Sequence, residues 1–195
     1  MTPQNEKVLP LFEKTGAYLK GHFRLTSGLH SPEYLQCAMV LRFPNHAETL
    51  GRALAGKLRE IIDQPVQLVV SPAMGGIIIG HEVGRAFGVP AIFTERENGV
   101  MTLRRGFHLD RGTNVVVVED VVTTGGSTRE VVDVMRAAGA NVLAAGSIID
   151  RSGGAAQVGV PRTALETMTV TSWKPEECPL CAQGSPVVKP GSRSV

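Results

Sequence analysis

Two adjacent carboxylates, Glu119 and Asp120, close a run of four valines, and the turn Thr123-Thr124-Gly125-Gly126-Ser127 follows almost at once. Glycines and hydroxyls at a helix start leave backbone N–H groups unobstructed and partly positive, which makes an anion cradle suited to phosphate. Ser127 and Glu130 have the spacing of a capping box, which would fix the helix start at this turn. Carboxylates beside a phosphate repel it. They fit if the phosphate carries a sugar whose hydroxyls they accept, or if a magnesium ion bridges the two. A 5-phosphoribosyl group meets both demands. No lysine follows the glycines, so the turn is not the G-x-x-x-x-G-K phosphate loop.

Residues of this kind must be carried on strand ends. "VQLVVSP", "VPAIFTE", "TNVVVVED" and "ANVLAAGSIID" read as buried strands, apolar on both faces as a covered parallel sheet requires. Helices are predicted over 76–87 and 128–138, the second ended by Gly139, so strands and helices alternate in βαβ units. The fold class is α/β, a doubly wound and mostly parallel sheet with a small N-terminal hood. Ligands of such sheets sit beyond the carboxyl ends of the strands, where Glu119 and Asp120 emerge. An amphipathic helix is expected over 4–20, and another over 45–62 with Asn45 as its cap and Leu50, Leu54, Leu58 and Ile61 on one face. "HFRLTSGLHSPEYLQCAMVL" reads as two strands around a polar turn at Ser27, Gly28 and Ser31-Pro32. Residues 96–113, rich in charge and glycine, read as a mobile loop or hairpin of the functional kind.

The bulk properties exclude several classes. A net charge of +2 with scattered basic residues gives no nucleic-acid footprint. No apolar run reaches the ~18 residues of a membrane span, and the N-terminus is not a signal peptide. Three cysteines in 195 residues speak against a disulfide framework and for a reducing cytoplasm.

"VVVVEDVVTTGGS" resembles the phosphoribosyl-diphosphate (PRPP) motif of type I phosphoribosyltransferases. Phe23, Leu25, Ser27, Gly28, Ser31 and Pro32 resemble the hood segment of the orotate branch, and the likeness spans about residues 8 to 170. The resemblance implies one domain, with a hood at about 1–42 plus part of 160–175 and a core at about 45–155. It implies PRPP binding by Glu119, Asp120, Val121, Val122, Thr123, Thr124, Gly125, Gly126, Ser127, Arg96, and the loop Ala73, Met74, Gly75 and Gly76. It implies orotate binding by Arg151, Thr123, Ser27 and Tyr34, with Arg151 pairing to the carboxylate. Mg2+ held mainly through PRPP, a cytoplasmic homodimer and a place in pyrimidine synthesis follow from the same likeness. A purine phosphoribosyltransferase and a non-catalytic PRPP-sensing regulator stay open as alternatives.

The chain departs from that family pattern where lysines are expected. Thr26 and Gly75 stand at two such places, Arg96 is followed by Glu97, and no lysine occurs from 58 to 173. Arg96, Arg104 and Arg105 are then the candidates to clamp pyrophosphate in place of those lysines. Apart from this pocket, Cys178 and Cys181 form half of a metal knuckle, two ligands where four are needed. Two chains could supply four thiolates, or the pair could be plain reduced thiols at a helix start. His22, His30 and His46 read as surface or hood residues. Gly80 and Gly84 are expected to let helix 76–87 pack closely on the sheet.

Overall fold

The computed structural model describes residues 8–25 and 28–190. In chain order the elements are α1 (Val8–Lys14), β1 (Tyr18–Arg24), β2 (His30–Leu35), α2 (Cys37–Leu41), α3 (Pro44–Arg59), β3 (Leu68–Pro72), α4 (Gly76–Phe87) and β4 (Ala91–Glu97). There follow β5 (Val100–Leu103), β6 (Asn114–Val122), α5 (Gly126–Ala137), β7 (Asn141–Asp150), β8 (Arg162–Thr167) and α6 (Pro179–Ala182). The main sheet runs β5-β4-β3-β6-β7-β8, and β1 and β2 form a separate hairpin. Every pairing in the main sheet is parallel except β4 with β5.

Strand β6 explains the architecture. Val116 and Val118 pack into the core shared with α3 and α4, while Val115 and Val117 pack into the core shared with α5. A side-chain period of two delivers alternate residues to opposite faces, so a strand covered on both sides must be apolar throughout. All four valines are 0% exposed, each contributing roughly 1.5–3 kcal/mol on burial. That exceeds the cost of half-burying the two acids that end the strand. Helix α4 lies tight on the sheet because a Cβ at Gly80 would sit 2.7 Å from Ser71 Oγ, and one at Gly84 would sit 2.8 Å from Ala91 Cβ.

Several boundaries differ from expectation, each for a local reason. Helix α1 stops at Lys14, with Leu19 in β1, because Gly16 turns left-handed at φ +69° and Ala17 N–H closes on Phe12 O at 2.7 Å. Helix α3 starts at Pro44, whose ring presets the first helical φ, so Asn45 lies inside the helix and caps nothing. Leu50, Leu54 and Leu58 are buried as expected, but Ile61 lies beyond the helix and is 39% exposed. Ser31 and Pro32 belong to β2 rather than to the turn, and the register of the hairpin shifts opposite Pro32, which has no N–H to give. Cys37–Leu41 is helical, burying Cys37, Val40 and Leu41 at helical spacing.

The 96–113 segment opens as a hairpin. Asn98 and Gly99 both have positive φ, 51° and 84°, the backbone a two-residue turn of the twisted kind requires. Strand β8 adds a parallel edge beside β7, a strand the sequence reading did not include. Farther along, Trp173 pairs with His30 of the hood. The 160–175 stretch is thus divided between sheet and hood. His22 and His30 are 3% and 6% exposed, which corrects their reading as surface residues. His46 is half-buried with its ring edge-on to Phe43.

Candidate active site

Strands β3, β6 and β7 run parallel and side by side, so their carboxyl ends form one rim. The turn 123–127 lies on that rim, with Thr123 and Thr124 exposed. Gly125 precedes α5 in the left-handed region at φ +77°, and a Cβ there would also sit 2.9 Å from Val158 Cγ1. Glycine is required twice over. The expected capping box does not form. The helix starts at Gly126 with no side chain capping it, and Glu130 reaches Arg96 at 2.7 Å instead. The first amides of α5 are therefore left free of side-chain partners, and this is the arrangement an anion needs.

Glu119 and Asp120 are half-buried at the end of β6, and neither pairs with a basic side chain among the described residues. Burial, opposed by the Thr128 hydroxyl and reinforced by the charges of Asp120 and Glu130, pushes the Glu119 carboxyl up to about 7. Thr128 Oγ1 donates to Glu119 Oε2. Asp120 is also raised, by burial first, against the 2.9 Å hydrogen bond that Val121 N–H donates to its Oδ1. Thr128, fully buried, is a site residue the sequence reading missed. Its only signal was its place one residue beyond the cradle, where the first helical turn brings it back over the acids.

The loop Ala73–Gly76 joins β3 to α4 beside the acids. Ala73 N–H donates to Thr94 O at 2.7 Å, Met74 is 83% exposed, and Gly75 precedes an α4 start that has no side-chain cap. The peptide Ala73-Met74 is cis. A Cβ at Gly75 would lie 2.6 Å from Asp120 Oδ2, so the loop and the acid pair are in direct contact. Val121 and Val122 complete β6, and Val122 O accepts the Arg151 N–H at 2.8 Å.

Arg151 follows β7 and is half-buried. Burial lowers its guanidinium below the usual range, against the favourable charges of Glu33 and Tyr34. Its Nε is buried without a hydrogen-bond partner among the described residues. Tyr34 on β2 stands close enough for its phenol to feel both Arg151 and Asp120, though burial is the main cause of its raised pKa. Ser27 lies outside the described residues. A buried guanidinium with an orphaned donor and an adjacent phenol is a receptor for a planar anion.

The loop that follows holds Arg151 in place. Asp150, 1% exposed, accepts from Ser152 N–H at 2.8 Å, Ser152 Oγ at 2.6 Å, Gly154 N–H at 3.1 Å and Arg162 at 2.7 Å.

The arginines of β4 and the following hairpin are held by acids. Arg105 makes a forked pair with Glu95 at 2.9 and 3.0 Å. Arg104 lies 3.2 Å from Glu97, and Arg96 pairs with Glu130. Exposed pairs of this kind are weak and screened, so they can be exchanged for a polyanion. A cleft of about 370 Å³ between α3 and α4, lined by Glu48, Arg52, Arg59 and Arg85, lies apart from the rim. Arg52 and Arg85 there already pair with Glu48.

Residues 38–174 match the family described as phosphoribosyl transferase domain. The chain is similar to the orotate phosphoribosyltransferase of Heliobacterium modesticaldum, 57% identical over 97% of this chain and 98% of that one. It is similar to that of Pelotomaculum thermopropionicum, 54% identical over 97% and 98%. Among solved structures, the orotate phosphoribosyltransferase from Aeropyrum pernix shares the fold with a TM-score of 0.65 and 26% identity, covering 82% of this chain and 93% of that one.

Proposed function

Because the chain belongs to the orotate phosphoribosyltransferase family, we propose that the rim described above divides the family's reaction among its own residues. The reaction transfers the 5-phosphoribosyl group of PRPP to orotate, giving orotidine 5′-monophosphate and pyrophosphate in pyrimidine nucleotide synthesis. Breaking the bond to pyrophosphate builds positive charge on the ribose and negative charge on the leaving group, so the protein's task is charge placement and exclusion of water.

The turn 123–127 binds the 5′-phosphate through the open amides of α5 and the hydroxyls of Thr123, Thr124 and Ser127. Glu119 and Asp120 accept the ribose hydroxyls and stabilise the cationic ring, with Thr128 holding Glu119 in place. Ala73, Met74, Gly75 and Gly76 present backbone amides to pyrophosphate, and Arg96, Arg104 and Arg105 exchange their carboxylate partners for it. Arg151 binds the orotate carboxylate, with Tyr34 and Thr123 beside the ring.

Phosphoribosyltransferases generally use Mg2+ with PRPP, and two carboxylates without a basic partner fit a cation brought by the donor. Bound in that way, Mg2+ would neutralise charge on the leaving pyrophosphate. The same family membership supports a cytoplasmic homodimer as the working unit.

The observation that carries this division of labour is the orphaned Nε of Arg151 beside Tyr34 at the mouth of the phosphate turn. Steady-state kinetics on Arg151→Ala and Arg151→Lys test it. Both variants should raise KM for orotate at least ~10-fold, the loss expected for a charge-assisted fork, and leave KM for PRPP nearly unchanged. An unaltered orotate KM removes Arg151 from the base site. A panel of orotate, adenine and hypoxanthine separates the orotate reading from the purine one, and turnover with any base excludes a purely sensing role.

A further inference from the structure

His22, His30, Cys178 and Cys181 converge although they come from distant parts of the chain. Their ligand atoms all lie within 4.8 Å of one another. His22 Nε2 is 2.9 Å from His30 Nδ1, 3.4 Å from Cys178 Sγ and 3.7 Å from Cys181 Sγ, and His30 Nδ1 is 3.3 Å from Cys181 Sγ. We propose that these four side chains form an intrachain tetrahedral zinc site that fastens the C-terminal segment to the hood hairpin.

The donor set and its dimensions favour that metal. Two thiolates and two imidazoles in a closed set of four are a structural zinc arrangement, with the spacing Cys-x-x-Cys on one side. Zn–N bonds of about 2.0–2.1 Å and Zn–S bonds of about 2.3 Å give tetrahedral edges of about 3.3 to 3.8 Å. The separations above match those edges to within a few tenths of an ångström. Three of the four residues are buried and only Cys181 is exposed, and no fifth ligand is offered. The site is therefore built to be filled by protein alone, unlike a catalytic zinc, which keeps one position open.

Two further features support it. His22 Nδ1 lies 2.9 Å from Ser185 O. A proton on Nδ1 given to that carbonyl leaves the Nε2 lone pair facing the sulfurs, the tautomer that outer hydrogen bonds fix in metal-binding histidines. The backbone also brings the segments together: His30 and Trp173 exchange both of their backbone hydrogen bonds, at 2.8 and 2.9 Å, and Val188 N–H donates to His22 O at 2.8 Å. Helix α6 has four residues, none of them buried, too few to hold themselves by helix formation. A metal closing a loop of more than 150 residues supplies the missing constraint. On the reading that Tyr34 borders the orotate site, the cross-link also steadies β2, the strand that carries it.

The full chain, expressed with zinc and purified without chelator, decides the matter by elemental analysis. About one zinc per chain is expected. The double variant Cys178→Ser with Cys181→Ser should lose it, and so should His22→Ala with His30→Ala. Apoprotein reloaded with Co2+ should show thiolate-to-cobalt charge transfer and the intense d–d bands of a tetrahedral site, a measurement on the unaltered chain that stands even if a variant fails to fold. Less than about a tenth of an equivalent of zinc with no cobalt–thiolate bands overturns the proposal. A Cys178–Cys181 disulfide in fresh protein does so too. Metal retained by the histidine variant overturns it in favour of thiolates shared between two chains.

Discussion

Gly75 and the Asp120 carboxylate are packed so closely that a Cβ on residue 75 would fall 2.6 Å from Oδ2 and 2.7 Å from Oδ1. Gly75 has φ −59° and ψ −39°, ordinary helical values, so its backbone does not require glycine. The contact alone does. Gly75→Ala should leave the thermal midpoint within a few degrees of wild type and displace Asp120, with turnover falling on the order of 100-fold for a shift of about 1 Å. A Gly75→Lys variant, restoring the residue the family pattern carries, meets the same obstacle at its Cβ and should not gain activity. Wild-type turnover in Gly75→Ala would show that Asp120 is not held by this loop.

The raised Glu119 carboxyl makes a pH prediction with a definite sign. Its folded value of about 7 exceeds the ordinary 4.5, so the folded state favours the protonated form. The ionised form costs stability, absent below pH 4.5 and growing as pH rises to about 7, on the order of 3 kcal/mol at full effect. Glu119→Gln should therefore raise the thermal midpoint at pH 8 and leave it nearly unchanged at pH 4.5. Accepting sugar hydroxyls or a cation favours the ionised form, so PRPP with Mg2+ should bind more weakly as pH falls below about 7 and release a proton on binding. Calorimetry in buffers of different ionisation enthalpy measures that proton, and its absence at pH 6 would place the titration elsewhere.

The parts of this chain legible in sequence were those in which one physical demand dominates. Val115–Val118 had to be apolar on both faces, and Gly76–Phe87 lies between a glycine pair and Gly88, whose φ of +75° ends the helix. The rim residues were legible because glycines, hydroxyls and acids have few other reasons to share one turn. Strand β8 was not legible, because "RTALET" is half-buried along most of its length and carries no clean alternation. The capping box was misread for a similar reason. Ser127 and Glu130 have the right spacing, but Gly125 takes the left-handed turn and the site needs those amides open. His22 and His30 could not be joined to Cys178 and Cys181 by spacing, since only the tertiary fold brings positions more than 150 apart together.

Arg104 and Arg105 share Glu95, at 3.6 and 2.9 Å, in surface pairs that pyrophosphate can displace. Their contribution should therefore appear when the leaving group develops charge, rather than in ground-state binding. Arg104→Ala with Arg105→Ala should lower kcat ~10-fold or more while KM for PRPP changes ~3-fold or less, the signature of an interaction made in the transition state. High salt should blunt the difference, because exposed charges are screened. A variant equal to wild type in rate would leave the missing lysines without a substitute among these two residues.

Asp150 fixes the position of Arg151 through the loop between them and Arg162. Burial pushes the Asp150 carboxyl up, yet the bonds from Ser152 and Arg162 outweigh it and hold the group below its ordinary 3.8. A lowered carboxyl contributes stability that is present above its unfolded pKa and lost as pH falls through the folded one, so this network fails only in strong acid. The same loop carries Ala156 and Val158, the side chains nearest to Gly125, so its collapse would reach the phosphate cradle as well as the base site. Asp150→Ala removes the partner of Arg162, whose side chain is 16% exposed, and should cost roughly 3–5 kcal/mol by stranding that charge. Arg162→Met in the same chain removes the stranded charge and should restore part of the loss in chemical denaturation. Equal stability of the single and double variants would show that the ion pair is not what holds the loop.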